Sequence, residues 1–203
     1  MTILSRNDQK GRSMVEMLGV LAIIGVLSVG GISGYSKAMS KFKLTKSQDQ
    51  ITMLLMNVRT AFAASPNYDG LTTTVAIQAG IAPNDMYTTY SATKLNNAFG
   101  GNAHIYACDE TGGGGHTCAV TGSVYDSTQA VQYFAISLDG LGRETCMSLA
   151  ASDWGTDGLV GMNVGKDKDT STGSYSSFDM PISLSTAATV CANKENTITW
   201  VYY

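Results

Sequence analysis

Glu16 is the residue of this 203-residue chain with the clearest potential for chemistry, because it stands at the start of an otherwise uncharged apolar run. The run extends from Met17 to Ser36. As a helix it would span roughly 30 Å, the hydrocarbon thickness of a bilayer. A carboxylate at the edge of such a segment is costly to bury, so Glu16 is predicted to be functional and to have a positively charged partner.

Four cysteines form a second group of reactive side chains: Cys108, Cys118, Cys146 and Cys191. All of them follow the apolar run, and their even number indicates disulfides, although four cysteines allow three pairings. Disulfides are typical of oxidising compartments, so the chain after residue 36 is predicted to lie outside the cytoplasm.

Metal and cofactor sites are not predicted. A Cys₂His₂ set of His104, Cys108, His116 and Cys118 lacks the usual zinc-ligand spacing, and the compartment favours a disulfide. In the stretch 167–173, DKDTSTG, side chains with oxygen atoms occupy alternate positions, as in a calcium-binding loop. However, Phe178 occupies the last position of such a loop, where a Glu ligand is required. A solvated surface loop is the preferred interpretation of that stretch.

No catalytic residue is predicted either, so the chain is not expected to be an enzyme. The four glycines at 112–115 lack the Lys-Ser/Thr of a phosphate-binding loop, and Asp153 and Asp157 fit a turn better than a pair of catalytic carboxylates. Charged residues make up 14% of the chain and the net charge is −3, which excludes a strongly basic surface. No nucleic-acid partner is therefore predicted.

A helix of about fifty residues is expected to carry Glu16. Residues 36–65 contain neither Pro nor Gly, and Ile51, Leu54, Leu55, Val58 and Phe62 recur at helical spacing. The pattern ends at Ser65-Pro66. The second half of the helix therefore has one apolar face that a sheet can cover.

The remainder of the chain has the pattern of short strands with two small helices. Residues 104–108 and 117–121 are predicted to form a hairpin across which Cys108 and Cys118 face each other, and 132–138 is the clearest strand. A short helix carries Cys146, residues 159–164 form a strand, Ser185 caps a helix through Cys191, and TITWVYY is a terminal strand. A helix followed by a mostly antiparallel sheet is an α+β order.

The apolar run has simpler interpretations than a functional helix. A cleaved secretory signal usually has a shorter apolar core without an acid, and a plain membrane anchor needs no Glu at its edge. The length of the apolar run disfavours a third interpretation, a buried core helix. Lysines and arginines flank both ends, so the cysteines decide the predicted orientation, with the N-terminus inside the cell.

The segment from Met1 to Ser36 resembles the class III signal of type IV pilins and pseudopilins. A short polar leader ends in Gly11, Glu16 follows five residues later, and the apolar helix begins at once. The resemblance implies cleavage between Gly11 and Arg12 by a prepilin peptidase, which also methylates the new amine. In a filament, the amine of Arg12 would pair with Glu16 of a neighbouring subunit.

The segment FAISLDGLGRETCMSL, followed by Cys191 and an aromatic terminal strand, resembles the globular domain of type IVb pilins, particularly the thin-pilus, conjugation-associated kind. The resemblance implies a disulfide between Cys146 and Cys191, which leaves Cys108 with Cys118. The implied fold is a long N-terminal helix, with a transmembrane half and an amphipathic half, packed on an antiparallel sheet.

These observations together predict a leader at 1–11, a transmembrane and assembly half of the helix at 12–36, an amphipathic half at 37–65 and a disulfide-bonded domain outside the cytoplasm at 66–203. The expected function is that of a major or minor pilin in an adhesion, conjugation or cell-contact filament. It would insert in a bacterial inner membrane and then polymerise with copies of itself. A peptidase, an assembly ATPase and a platform protein are the other expected partners. The alternatives are a secretion-system pseudopilin, a membrane-anchored binding module that never polymerises, and an exported enzyme.

Overall fold

The computed structural model describes residues 14–108, 119–121, 132–155, 158–165, 174–176 and 181–203. Two compact units divide the chain, Met1–Phe42 and Lys43–Tyr203. One helix, α1, runs through Met14–Ala61, close to the predicted length. It ends four residues before the predicted Ser65, and residues 62–65 continue as turns in which the Ser65 amide donates to the Phe62 carbonyl over 2.9 Å.

The second unit contains a sheet and three further helices among the described residues. The helices are α2 (Thr73–Gln78), α3 (Arg143–Ala150) and α4 (Leu184–Val190), with a 3₁₀ turn at Asn84–Met86. The strands are β1 (Leu95–Asn96), β2 (Asn102–Ala107), β3 (Ala119–Thr121), β4 (Phe134–Leu141), β5 (Leu159–Gly165), β6 (Ser174–Ser176) and β7 (Asn196–Tyr202).

Within the described residues, seven strands form one sheet in the order β1-β2-β4-β7-β5-β6-β3. All neighbours are antiparallel except β3 and β6, which are parallel. The terminal strand β7 lies at the centre, where Trp200 pairs with Ile136 of β4 and Met162 of β5. The α+β prediction and the strands expected near 132–138, 159–164 and the end of the chain are confirmed.

The predicted hairpin between residues 104–108 and 117–121 is wrong. Strand β2 pairs with β1 and β4, so both of its edges are occupied, while β3 pairs with β6 at the far side of the sheet. Strand length and turn-forming residues indicate a local hairpin, but pairing partners are chosen by burial across the whole sheet. The residues that would form the hairpin tip lie outside the described residues.

Two local predictions also need correction. Helix α4 begins at Leu184, and its N-cap is Ser183 rather than Ser185, because the Ser183 hydroxyl accepts a 3.2 Å hydrogen bond from the Thr186 amide. Helix α2 was not predicted, since only short apolar runs mark residues 67–103. The Thr72 hydroxyl caps it by accepting from the Val75 amide over 3.2 Å.

The main core lies between the second part of α1 and one face of the sheet. Ile51, Leu54 and Val58 of α1 are fully buried and pack in one cluster with Trp200 and Tyr202 of β7. Side chains alternate along a strand, so Val201 belongs to a separate cluster on the opposite face. The predicted apolar face of the helix therefore does cover a sheet.

Candidate assembly site

The N-terminal part of α1 presents a continuous apolar surface. Its large apolar side chains from Met14 to Tyr35 range in exposure from 49% at Met17 to 83% at Met14. The most apolar window of the helix has a mean hydropathy of 2.2 and none of it is buried, so by length and composition α1 could cross a membrane. An exposed apolar patch of this extent requires lipid or protein to cover it.

Glu16 lies at the beginning of this apolar surface, in the first turn of α1, and is exposed. A carboxylate there interacts favourably with the partial positive charge of the helix N-terminus, by about 0.3–1 kcal/mol at exposed sites. Gly11 and Arg12, the predicted cleavage site, lie outside the described residues. The pairing of the Arg12 amine with Glu16 therefore stays a prediction.

Polar and small residues interrupt the apolar surface without breaking the helix. The Ser28 hydroxyl donates to the Ile24 carbonyl over 2.7 Å, which satisfies its donor inside the helix. Five glycines lie in this part of α1, and a Cβ at any of them would have nothing within 4 Å: Gly19, Gly25, Gly30, Gly31 and Gly34. Such small residues leave room for the backbone of another helix to approach closely.

The disulfide predicted between Cys146 and Cys191 is present. Their Cα atoms lie 5.8 Å apart, both residues are fully buried, and the bond joins α3 to the residue that ends α4. Cys108 is also buried and disulfide-bonded. Cys118 lies outside the described residues, so its pairing with Cys108 stays a prediction.

Among the described residues, no group of three or more His, Cys, Asp and Glu side chains is arranged to hold a metal ion. His104 instead lies beside Asp139, with 3.8 Å between Nε2 and the nearer carboxylate oxygen. His116 and the stretch 167–173 lie outside the described residues. Asp153 lies in the loop after α3, where its carboxylate accepts a 2.9 Å hydrogen bond from the Gly155 amide, and Asp157 lies outside the described residues.

An ionic contact that the sequence analysis missed joins the loop before β1 to α1 within the second unit. Asp85 accepts hydrogen bonds from Lys46 Nζ over 3.0 Å and from Gln50 Nε2 over 2.9 Å. Partial burial raises the pKa of Asp85, but the bonds from Lys46 and Gln50 outweigh it and hold this pKa below its usual value. The four-residue spacing of Lys46 and Gln50 indicates a shared helix face, but no local pattern indicates Asp85.

Residues 42–203 match the family described as PilS N terminal. The chain is similar to the major structural subunit of bundle-forming pilus from Escherichia coli O127:H6, with 24% identity over 206 residues that cover 99% of this chain and 97% of the relative. The subunit of the same name from Escherichia coli O111:H- gives the same identity and coverage.

Two solved structures are also similar to this chain. A type IV b pilin from Salmonella typhi is 18% identical, with a TM-score of 0.49 over 79% of this chain and 97% of that one. TcpA, a type IV pilin from Vibrio cholerae El Tor biotype, is 15% identical, with a TM-score of 0.48 over 79% of this chain and 99% of that one.

Proposed function

Because the chain belongs to the PilS N terminal family, we propose that it is a structural subunit of a type IV pilus, of the type IVb class. The observation that carries the proposal is the exposed apolar surface of α1 with Glu16 in its first turn. A surface of this kind suits a protein that is first anchored in lipid and then covered by other copies of itself. The relatives named as major structural subunits of a pilus support the same function.

Maturation begins with removal of residues 1–11 by a prepilin peptidase that cuts after Gly11. The precursor spans the inner membrane once, with the leader in the cytoplasm and the disulfide-bonded part in the periplasm. The buried Cys146–Cys191 bond supports this orientation, since such bonds persist in oxidising compartments. The proposed boundaries after cleavage are 12–36 for the membrane and assembly segment, 37–65 for the amphipathic segment and 66–203 for the globular domain.

Assembly brings the α-amine of Arg12 beside Glu16 of a neighbouring subunit. A charge in an apolar bundle is tolerated when it is paired, and removal of one partner costs about 3–5 kcal/mol. Because apolar helices can slide along one another, this pair sets their axial register. The glycines of α1 support the close packing of helices that such a bundle requires.

Extension of the filament moves the subunit from the membrane to the cell exterior, where the filament serves adhesion, conjugation or cell contact. An assembly ATPase and a platform protein, the partners that the resemblance to type IV pilins implies, drive this movement. The subunit's own contribution is structural.

The proposal is tested by the Gly11→Ala variant in cells with and without the peptidase. We expect the variant to remain an unprocessed precursor in the inner membrane, visible as slower mobility on an immunoblot, and to yield no sheared filaments. Gly19→Ala is the matched control, because the added methyl group meets nothing within 4 Å and should leave processing intact.

Normal processing of Gly11→Ala would overturn the cleavage site. Processing of the unmodified chain without any filament would instead identify a pseudopilin. An N-terminus of the mature protein at Arg12 is expected from direct sequencing, whereas an intact Met1 or a start near residues 30–36 would contradict the pilin maturation.

A further inference from the structure

A cavity of about 200 Å³ lies between α1 and the C-terminal strand, within the unit Lys43–Tyr203. One face of α1 forms one side of the cavity, and the loop after α3 forms the opposite side. Its lining residues are Gln48, Ile51, Thr52, Leu55, Asp153, Trp154 and Tyr202. The proposed filament function does not use this cavity.

The indole of Trp154 forms a rigid wall of the cavity. Its Nε1 donates a 2.9 Å hydrogen bond to the Leu149 carbonyl, and its ring meets the ring of Trp200 edge-on, with centroids 5.0 Å apart. Trp154 is only half-buried. A fixed and accessible indole face attracts cations through the negative potential above the ring.

The hydroxyl of Tyr202 lies in the buried part of this region and has no hydrogen-bond partner among the described residues. Burial raises the pKa of Tyr202, although the nearby Arg59 guanidinium lowers it, so the phenol stays protonated. Buried polar groups in proteins nearly always have a partner. Because this oxygen is almost inaccessible to solvent, an occupant of the cavity does not contact it.

Asp153 is the charged residue of the lining, and its side chain is exposed at the mouth. One carboxylate oxygen accepts from the Gly155 amide, and no cation pairs with Asp153 in the described part of the chain. The Nε2 of Gln48 donates a hydrogen bond to the Ser152 hydroxyl over 2.9 Å, and the amide oxygen of Gln48 can accept one. The polar lining therefore favours an occupant that is a donor with positive charge.

The Arg59 guanidinium of α1 lies close enough to Tyr202 to lower its pKa, so it opposes a positive charge placed deep beside Tyr202. Its guanidinium is directed to the Tyr203 carbonyl, 3.5 Å away, and it does not line the cavity. We therefore expect the positive charge of an occupant to lie at the Asp153 end of the cavity. The apolar part of the occupant would point toward Ile51 and Leu55.

We propose that this cavity binds a primary alkylammonium group, held by the Asp153 carboxylate and the face of Trp154, with its alkyl stem on Leu55. Two sources supply this chemistry: a free small amine, and the lysine side chain of a second copy of this chain. Both carry an ammonium on an unbranched stem, and the cavity accommodates either.

The first arm of the test titrates the full chain in a non-ionic detergent with n-butylammonium chloride at constant ionic strength, using tryptophan fluorescence. The protein has only two tryptophans, Trp154 and Trp200, which are in ring contact, so the signal reports on the cavity wall. We expect saturable binding at millimolar concentrations. Because the ammonium supplies the attraction, we expect 1-butanol, the neutral analogue, to bind at least about fivefold more weakly.

Asp153→Asn is expected to weaken n-butylammonium binding by about fivefold or more. Asp69→Asn is the matched control, since it removes an exposed carboxylate elsewhere in the same unit and should leave binding unchanged. Equal binding of 1-butanol and n-butylammonium, or an unchanged affinity in Asp153→Asn, would overturn the proposal.

The second arm distinguishes the sources by carbodiimide cross-linking of the concentrated full chain. A covalent dimer that disappears in Asp153→Asn, and in the presence of n-butylammonium, identifies a lysine of a second copy. Saturable amine binding without that dimer identifies a free amine. Absence of both the dimer and the binding refutes the site.

Discussion

The side-chain amide of Asn97 donates a 2.8 Å hydrogen bond to the main-chain carbonyl of Asp139, which ties the loop before β2 to β4. The same amide nitrogen donates to the Asn102 carbonyl over 3.2 Å. Its oxygen accepts from the amides of Phe99 and Gly101, over 2.9 and 3.1 Å. Asn97 is buried, so each of these bonds replaces water at a backbone group that would otherwise be unsatisfied.

Asn97→Asp is expected to lower the free energy of unfolding by about 3 kcal/mol at neutral pH. The change replaces a donor by a charged oxygen that faces two carbonyl oxygens, while the size of the side chain is preserved. Chemical denaturation of the two proteins measures the difference. Asn84→Asp, an exposed position whose oxygen accepts from Tyr87, should change stability by less than about 0.5 kcal/mol. Equal stability of Asn97→Asp and the unmodified chain would contradict the role assigned to this amide.

Replacement of both Cys146 and Cys191 by Ala is expected to cost about 4 kcal/mol of stability, since the bond closes a loop with a sequence separation of 45 residues. Denaturation without reductant measures this loss. Non-reducing peptide mapping of the unmodified chain should recover the two cysteines in one linked pair, and thiol titration of the native protein should find no free thiol. Four titratable thiols in the native protein would contradict the disulfide assignment.

Asp85 is expected to make stability depend on pH in the acid range. Its pKa is lower in the folded chain than its ordinary value of 3.8, so its stabilising effect is complete above that value and is lost as the pH falls through the lower folded-state pKa. The carboxylate is 45% exposed, so the effect should be below about 1 kcal/mol. As the pH is lowered from about 6 to about 2, the melting temperature of Asp85→Asn should fall less steeply than that of the unmodified chain. An identical pH profile in Asp69→Asn and Asp85→Asn would show that the contact with Lys46 contributes nothing specific.

Glu16→Gln is expected to leave membrane insertion and cleavage intact but to reduce filament yield strongly, because the Arg12 amine of one subunit loses its charged partner on another. The measurement is the yield of sheared filaments relative to the processed subunit. Glu144→Gln removes the same charge from the first turn of α3 and should not alter the yield. Normal filaments from Glu16→Gln would mean that helix packing alone sets the register.

Features that depend on local composition and periodicity could be predicted from the residues alone. The long helix follows from an apolar run and a helical pattern without Pro, and its actual end at Ala61 differs from the prediction by four residues. Strands β4, β5 and β7 and helix α3 were also predictable, because each has a continuous pattern of its own. Glu16 was recognisable because a charge at the edge of an apolar segment is costly wherever the helix lies.

Long-range packing sets which of these elements contact one another. Strand β3 pairs with β6 rather than with β2, and β7, last in sequence, lies in the middle of the sheet. Asn97 contacts Asp139, 42 positions later, and the cavity brings Asp153 and Trp154 beside Tyr202, more than forty positions later. The residues themselves left all three cysteine pairings open, and only the resemblance favoured Cys146 with Cys191. Such contacts are selected by the burial of a common core, and nothing in the local spacing of residues encodes that selection.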